Sequence, residues 1–201
     1  MVYGVLFCAV FLLSRICFRF HVSGREYLPA DRGFVICPNH ISALDPVFVV
    51  VARGAGKKLS IMGKEELFRN PFLGWLFRQV GVFPVERGKG DTAALDRAIA
   101  DVQGGRGMLI FPEGTRTKTG EMGRFKSGAF VIAARTGADM IPCRVQYSTG
   151  RLRPLCRIDV MFGPPITMEE LGLAGAYSAS ALRGAKETLR CAILALPPKG
   201  E

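Results

Sequence analysis

The stretch GFVICPNHISALDPVFVV, residues 33–50, decides the fold that the sequence predicts. Its apolar start, residues 33–37, has the length and composition of a buried strand. Pro38 constrains the exit from that strand, and Pro46 fits only in the first turn of a helix, so we predict a helix over residues 46–53. A buried strand, a polar turn and a helix in this order are typical of α/β proteins.

The same alternation continues along the chain on the C-terminal side of this stretch. Its patterns predict strands over residues 58–62, 82–85, 107–111, 140–145 and 157–162, and helices over residues 71–80, 92–102, 127–135 and 178–196. The sequence therefore predicts an α/β fold, in which a mixed, largely parallel sheet is covered by helices. One N-terminal helix, which we expect to be membrane-associated, completes the fold.

That N-terminal helix is predicted from an apolar run over residues 1–13, which resumes after Ser14 and Arg15 and ends near Phe20. As a helix, residues 1–13 reach about 20 Å, short of the roughly 30 Å hydrocarbon core of a bilayer. Three interpretations stay open: a helix lying in the membrane interface, a short span with arginines at headgroup level, and a buried helix. We predict a membrane-associated helix over residues 1–20 and a main domain over residues 21–201, on the cytoplasmic face of the cell membrane.

Charge and cysteine content narrow the function classes. The 201 residues include 27 Lys and Arg against 17 Asp and Glu, a net charge of +10 that attracts nucleic acid, anionic lipid or a phosphorylated substrate. The basic residues come as scattered pairs, unlike those of a nucleic-acid-binding arm, and we expect no nucleic-acid partner. The six cysteines form no CxxC pair, so we expect free thiols, without disulfides or a structural metal.

The turn after the first buried strand holds the first candidate site, from Asn39 to Asp45. On a regular helix, residues five apart point about 140° away from each other, so His40 and Asp45 can meet only if this segment is partly a turn. Ser42 can cap the following helix. A carboxylate on one imidazole nitrogen fixes the tautomer, and the other nitrogen can then act as a general base. The alternative is a surface histidine beside a helix-capping aspartate. His21 is the only other histidine, and we expect no nearby carboxylate partner for it in the amphipathic entry segment.

The second candidate segment, FPEGTR over residues 111–116, also follows a predicted strand. Ligands of α/β proteins gather at the C-terminal ends of strands, so both turns could line one crevice. Gly114 permits close backbone approach, Thr115 offers a hydroxyl, and Arg116 can bind a phosphate through two hydrogen bonds. The alternative is a tight loop closed by a salt bridge between Glu113 and Arg116.

Two weaker segments accompany these. GVFPVER, residues 81–87, is a strand that runs into a loop carrying Arg87, and FKSGA, residues 125–129, opens a helix with Lys126 just before it. A lysine at a helix N-terminus opposes the helix dipole, so Lys126 is either an anion ligand or a surface residue.

Together these segments resemble the 1-acylglycerol-3-phosphate acyltransferase family, over roughly residues 25–146. The family's first motif, Asn-His-x-x-x-x-Asp, matches Asn39, His40 and Asp45, and its third, Phe-Pro-Glu-Gly-Thr-Arg, matches residues 111–116 at every position. The second motif is matched loosely, by Phe83 and Arg87. The fourth, a hydrophobic residue followed by proline, is matched by residues 141–142.

The resemblance implies that residues 21–201 form an acyltransferase domain in which His40 and Asp45 are catalytic. It implies transfer of a fatty acyl group from acyl-CoA or acyl carrier protein to the sn-2 hydroxyl of 1-acylglycerol 3-phosphate, giving phosphatidic acid, without a metal or cofactor. The implied partners are the phospholipid membrane surface, the lysophospholipid acceptor and the acyl donor. The implied substrate-binding residues are Asn39, Ser42, Phe83, Arg87, Glu113, Gly114, Thr115, Arg116 and Lys126.

Three alternatives to this function stay open. The acceptor could be glycerol 3-phosphate or another lyso-lipid. A thioester or lipid hydrolase would use His40 to activate water. A non-catalytic lipid-binding protein would need only the apolar N-terminus and the basic surface.

Overall fold

The computed structural model describes residues 2–56, 58–86, 91–117 and 121–197. Its strands are β1 Arg19–Ser23, β2 Phe34–Pro38, β3 Ser60–Lys64, β4 Val82–Val85, β5 Gly107–Leu109, β6 Met140–Tyr147 and β7 Arg157–Phe162. Its α-helices are α1 Val2–Cys17, α2 Asp45–Arg53, α3 Pro71–Gln79, α4 Thr92–Gln103, α5 Gly128–Thr136 and α6 Ala179–Leu194. Two short 3-10 helices cover Arg25–Tyr27 and Glu65–Phe68.

The strands form one sheet in the order β1-β7-β6-β2-β5-β3-β4. All neighbours pair in parallel except β6 and β7, which are antiparallel. The prediction of a mixed, largely parallel sheet covered by helices is therefore confirmed. Because β6 and β7 are antiparallel, β7 and β1 run in the opposite direction to the other five strands. The end of β6 and the start of β7 therefore lie at the same edge of the sheet.

Helices cover both faces of the sheet, which explains why its central strands are continuous apolar runs. Along β2, Val35 and Cys37 face the core formed with α4, α5 and α6, whereas Phe34 and Ile36 face the core formed with α1 and α2. All five residues of β2 are buried. The strand that precedes the candidate histidine is thus fixed from both sides.

The register of β2 against its neighbouring strands places the two candidate loops, after β2 and after β5, side by side. Pro38, the last residue of β2, is paired with Cys143 in the middle of β6, so β6 continues four residues beyond the end of β2. The end of β5 lies on the other side of β2. The segment after β2 therefore lies between the projecting end of β6 and the loop that follows β5.

The N-terminal helix ends earlier than the sequence predicts. Helix α1 stops at Cys17, and residues 19–23 form β1, which pairs in parallel with β7. The predicted helix over residues 2–20 is wrong at its end, because Phe20 is drawn into the core, where it is 6% exposed. The predicted domain boundary at residue 20 consequently falls inside β1. Within the described ranges, no helix has the length and apolar character needed to cross a membrane.

Helix α1 packs through one face and exposes the opposite one. Phe11 of the helix and Phe18 just after it pack against the core around Phe48 of α2, and the rings of Phe18 and Phe48 meet edge to face at 5.4 Å. The other face carries a row of exposed apolar side chains, Val5, Leu12, Leu13 and Ile16, each 59–69% exposed. The spacing of apolar residues along this helix predicts a different apolar side, formed by Leu6, Val10, Leu13 and Cys17, of which only Leu13 belongs to the exposed row.

Candidate active site

The predicted contact between His40 and Asp45 is present. The residues between β2 and α2 form a turn, and the Nδ1 atom of His40 lies 2.9 Å from Oδ2 of Asp45. The side chain of His40 is 12% exposed and that of Asp45 is fully buried. The imidazole also stacks on the ring of Phe111, with 4.0 Å between ring centroids. The ring is therefore held on one edge by the carboxylate and on one face by Phe111.

Asp45 is surrounded by hydrogen-bond donors. Its Oδ2 accepts the backbone N–H groups of Ile41 and Ser42, each at 2.7 Å, and its Oδ1 accepts the hydroxyl of Tyr147 at the end of β6. Burial, and then the charge of Asp45, raise the pKa of Tyr147 far above its ordinary value. Tyr147 thus stays a hydroxyl donor, and this arrangement stabilises an ionised carboxylate inside the protein.

Ser42 does not cap α2 as the sequence predicts. The N-cap position is Leu44, and the Ser42 hydroxyl instead accepts the Leu44 N–H at 3.2 Å within the turn. Pro46 occupies the first turn of α2 as predicted. Ser42 helps to shape the turn that brings Asp45 back to His40, and its predicted contact with substrate stays a prediction.

Glu113 joins the two motif loops. One of its carboxylate oxygens accepts the backbone N–H of His40 at 2.8 Å, and the other accepts the N–H of Gly123 at 2.8 Å. Glu113 is 5% exposed, and the His40 carbonyl accepts the N–H of Thr117 at 2.9 Å. Glu113 thus links the two loops structurally, and the described residues show no ion pair between Glu113 and Arg116. Its predicted contact with substrate stays a prediction.

The neighbouring Thr115 and Arg116 are exposed at the same edge of the sheet. Gly114 has a φ of 72°, a left-handed conformation that favours glycine. A Cβ atom at Gly114 would lie 2.9 Å from Cδ of Lys126, so the lysine stem passes directly over this loop. The Lys126 backbone N–H donates to the Pro112 carbonyl at 2.8 Å. The structure therefore places three exposed residues, Thr115, Arg116 and Lys126, at the loop that follows β5.

Two of the predicted substrate-binding residues make structural contacts. Phe83 is 1% exposed and packs in the core between the sheet and α4, while its predicted contact with substrate stays a prediction. The side-chain amide of Asn39 donates to the Val145 carbonyl at 3.0 Å and accepts the Val145 N–H at 2.7 Å. Asn39 thus extends the pairing of β2 with β6 by a side chain. The prediction for Arg87 lies outside the described residues.

Two clefts open on the same side of the sheet. One, of about 570 Å³, lies at the ends of β3 and β4, where Lys64, Arg69 and Arg78 line it together with three glutamates. The other, of about 590 Å³, lies beside β1 and includes His21. His40 lines neither of them. The expectation that His21 has no carboxylate nearby is wrong, because pairing of β1 with β7 places its Nδ1 3.9 Å from Oδ1 of Asp159.

This geometry fits general-base chemistry. Because the ionised Asp45 only accepts hydrogen bonds, Nδ1 of His40 carries the proton between them, and Nε2 is left as the nitrogen that can take a proton from a substrate hydroxyl. Sequence reasoning missed Tyr147 in this arrangement. A signal was available, since a tyrosine at the buried end of a strand needs a partner for its hydroxyl.

Comparisons with known proteins agree with this arrangement. A family model described as Acyltransferase matches residues 19–146. The chain is 34% identical over 140 residues to the chloroplastic 1-acyl-sn-glycerol-3-phosphate acyltransferase LPAT1 of Arabidopsis thaliana, covering 68% of this chain and 38% of that protein. It is 32% identical over 150 residues to the 1-acyl-sn-glycerol-3-phosphate acyltransferase of Borreliella burgdorferi, covering 69% of this chain and 59% of that protein.

A solved structure has the same fold. The crystal structure of the 1-acyl-sn-glycerophosphate acyltransferase PlsC from Thermotoga maritima superimposes with a TM-score of 0.71 at 21% identity, covering 96% of this chain and 80% of that one. The chain spans about two fifths to three fifths of the length of the two curated relatives. Since the family match covers more than half of the chain, including both motif loops, the protein belongs to the acyltransferase family.

Proposed function

We propose that this protein transfers a fatty acyl group from acyl-CoA or acyl carrier protein to the sn-2 hydroxyl of 1-acylglycerol 3-phosphate, giving phosphatidic acid. The observation that carries the proposal is the buried Asp45 carboxylate held 2.9 Å from Nδ1 of His40, with Arg116 exposed on the adjoining loop. The relatives' names support the choice of acceptor.

In the proposed reaction, Nε2 of His40 removes the proton of the acceptor hydroxyl as its oxygen attacks the thioester carbonyl. Asp45 orients the imidazole and stabilises the imidazolium that forms. Proton transfer by a positioned general base such as His40 is worth about 10²–10⁴ in rate. When the tetrahedral intermediate collapses, the proton passes to the departing thiolate. Arg116, Thr115 and Lys126 provide the donors that would hold the acceptor phosphate.

The decisive experiment supplies purified protein with labelled acyl-CoA, or with labelled acyl carrier protein, and a panel of acceptors. The panel contains 1-acylglycerol 3-phosphate, glycerol 3-phosphate and a lyso-lipid without a free phosphate. We expect transfer to 1-acylglycerol 3-phosphate and its loss in the His40→Ala protein. The matched control is Asp96→Asn, a change in an exposed ion pair between Asp96 of α4 and Arg135 of α5. Transfer at wild-type rate by His40→Ala contradicts the mechanism.

The same assay separates the alternatives. Release of free fatty acid at the same rate with and without acceptor identifies a hydrolase. Absence of both transfer and release, with lipid binding retained, identifies a lipid-binding protein. Preference for another acceptor keeps the chemistry and changes the substrate.

We also propose that the exposed apolar row of α1 lies in the membrane interface on the cytoplasmic side, since an amphipathic helix with arginine beside its apolar face suits that position. Deleting residues 1–20 would also remove two of the five residues of β1, among them the buried Phe20, so point changes give the cleaner test. Replacing Leu12, Leu13 and Ile16 with serine should release the protein from phospholipid vesicles while leaving its melting temperature nearly unchanged. Retention on vesicles by this variant would contradict the interfacial position.

A further inference from the structure

A cleft at the same edge of the sheet as His40 takes no part in the proposed chemistry. The cleft of about 590 Å³ beside β1 is lined by Arg19, Arg153 and Arg157 together with His21, and no carboxylate is among its lining residues. We propose that this cleft binds the phosphate headgroup of an anionic phospholipid of the bilayer and so docks the protein on the membrane. This site goes beyond the proposed acyl transfer and rests on it only in that the acceptor is a membrane lipid.

The charges in the cleft are not all equivalent. Arg157 lies 3.0 Å from Oδ2 of Asp159, a carboxylate that is 2% exposed, and His21 lies 3.9 Å from the other oxygen of the same carboxylate. Arg19 and Arg153 are exposed, and within the described ranges neither has a carboxylate at ion-pair distance. Two arginines are therefore free to meet an anion at the mouth of the cleft, where the planar guanidinium suits phosphate.

Leu155 adds an apolar contact at the rim of the cleft. It is 69% exposed and has a φ of 60°, so it combines a solvent-facing leucine with a left-handed backbone that disfavours every residue except glycine. Its N–H donates to the Cys17 carbonyl at 2.8 Å, which fixes this loop to the end of α1. A strained backbone that exposes an apolar side chain costs stability without a gain in packing, which is typical of a functional site.

The position of the cleft fits a membrane surface. Leu155 is joined to α1 next to Ile16, the last member of the exposed apolar row, and Arg15 and Arg151 are exposed nearby in the chain. Apolar side chains beside exposed arginines match the acyl chains and the anionic headgroups of a bilayer. The cleft also includes Ser148, which directly follows Tyr147, the partner of Asp45. A headgroup bound here would bring the His40 edge of the sheet to the lipid surface.

The headgroup site is tested by sedimentation of the whole chain with vesicles of phosphatidylcholine, with and without phosphatidylglycerol. Replacing both Arg19 and Arg153 with glutamine should lower the partition coefficient on phosphatidylglycerol vesicles by about tenfold to thirtyfold, since each basic residue near the surface contributes a few-fold. The control changes Arg135 and Arg183 to glutamine, which removes the same charge from exposed positions on α5 and α6. An equal loss in the control, or an equal loss on pure phosphatidylcholine, would overturn the headgroup site.

A second variant separates membrane contact from a structural role of Leu155. Leu155→Gly relieves the left-handed strain, so we expect a higher melting temperature together with weaker vesicle binding. If both quantities fall, the leucine is structural and the apolar part of the proposal is wrong. The acyl-transfer assay is read separately, because wild-type binding without transfer would contradict only the proposed function. Unchanged binding by the arginine variant would contradict only the headgroup site.

Discussion

The Tyr147 hydroxyl donates a hydrogen bond to Oδ1 of Asp45, the carboxylate whose other oxygen holds the imidazole of His40. Tyr147 ends β6, and Asp45 begins α2 on the far side of the motif turn. The sheet therefore reaches the catalytic pair through a side chain that neither motif contains. Because Oδ2 is occupied by two backbone N–H groups and His40, Tyr147 fixes the remaining oxygen.

We predict that Tyr147→Phe lowers kcat by about tenfold and the free energy of unfolding by about 1–2 kcal/mol, because one oxygen of a buried carboxylate loses its donor. The acceptor KM should change little, since Tyr147 touches Asp45 and not the proposed phosphate site. Steady-state kinetics and thermal unfolding measure both quantities. The control is Tyr27→Phe, at an exposed tyrosine. A rise in KM with unchanged kcat would contradict the positioning role.

Glu113→Gln tests the link between the two motif loops. Both carboxylate oxygens accept backbone N–H groups, from His40 and Gly123, and an amide presents one of them with an NH₂ group instead. We expect a loss of about 2–3 kcal/mol in unfolding free energy and a lower kcat. Denaturant unfolding and kinetics provide the measurement, with the exposed Glu169→Gln as control. Unchanged stability with a raised acceptor KM would return Glu113 to the substrate-binding role that the motif implies.

Arg116→Ala tests the phosphate contact. If this exposed arginine binds the acceptor phosphate, its loss should raise the acceptor KM by about tenfold to a hundredfold, the range for a hydrogen bond to a charged group. The donor KM should stay within a few-fold. Arg116→Lys should recover little, because an ammonium lacks the planar fork. Arg135→Ala serves as the control for charge alone. Equal effects on donor and acceptor KM would make Arg116 structural.

The thiols provide a prediction on pH. All six cysteines are free, with Cys8 and Cys191 exposed and Cys37 and Cys143 fully buried. Burial raises the pKa of the Cys37 and Cys143 thiols, so both stay neutral and unreactive as pH rises through the range, near about 8.5, in which free thiols ionise. A disulfide reagent should modify Cys8 and Cys191 quickly in the native protein, and faster at higher pH.

Cys37 and Cys143 should react only on unfolding, which mass spectrometry of labelled peptides can follow. The raised pKa sets the sign of the effect on stability: the contribution of the neutral thiols is complete below their unfolded pKa. It is lost progressively as pH rises from the unfolded pKa to the folded pKa. Rapid native labelling of Cys37 would show that β2 opens without global unfolding.

The sequence by itself determined the alternation of strands and helices, and with it the α/β fold, because residues such as 33–37 and 107–110 are short apolar runs of the kind that a sheet covered on both faces buries. It also determined that His40 meets Asp45, since Pro38 and Pro46 confine the segment between them to a turn. These signals are local, and local spacing is what a sequence records directly.

Tertiary structure alone decided the rest. Residues 19–23 became a strand instead of the end of α1 because β7, far away in the chain, offered them a partner. Burial and register placed Phe83 in the core, paired Asn39 with the backbone of Val145, and brought Glu113 to two backbone amides. Tyr147 reached Asp45 only because β6 runs past the end of β2. Each outcome depends on contacts between residues distant in sequence, whose geometry exists only once the sheet has formed.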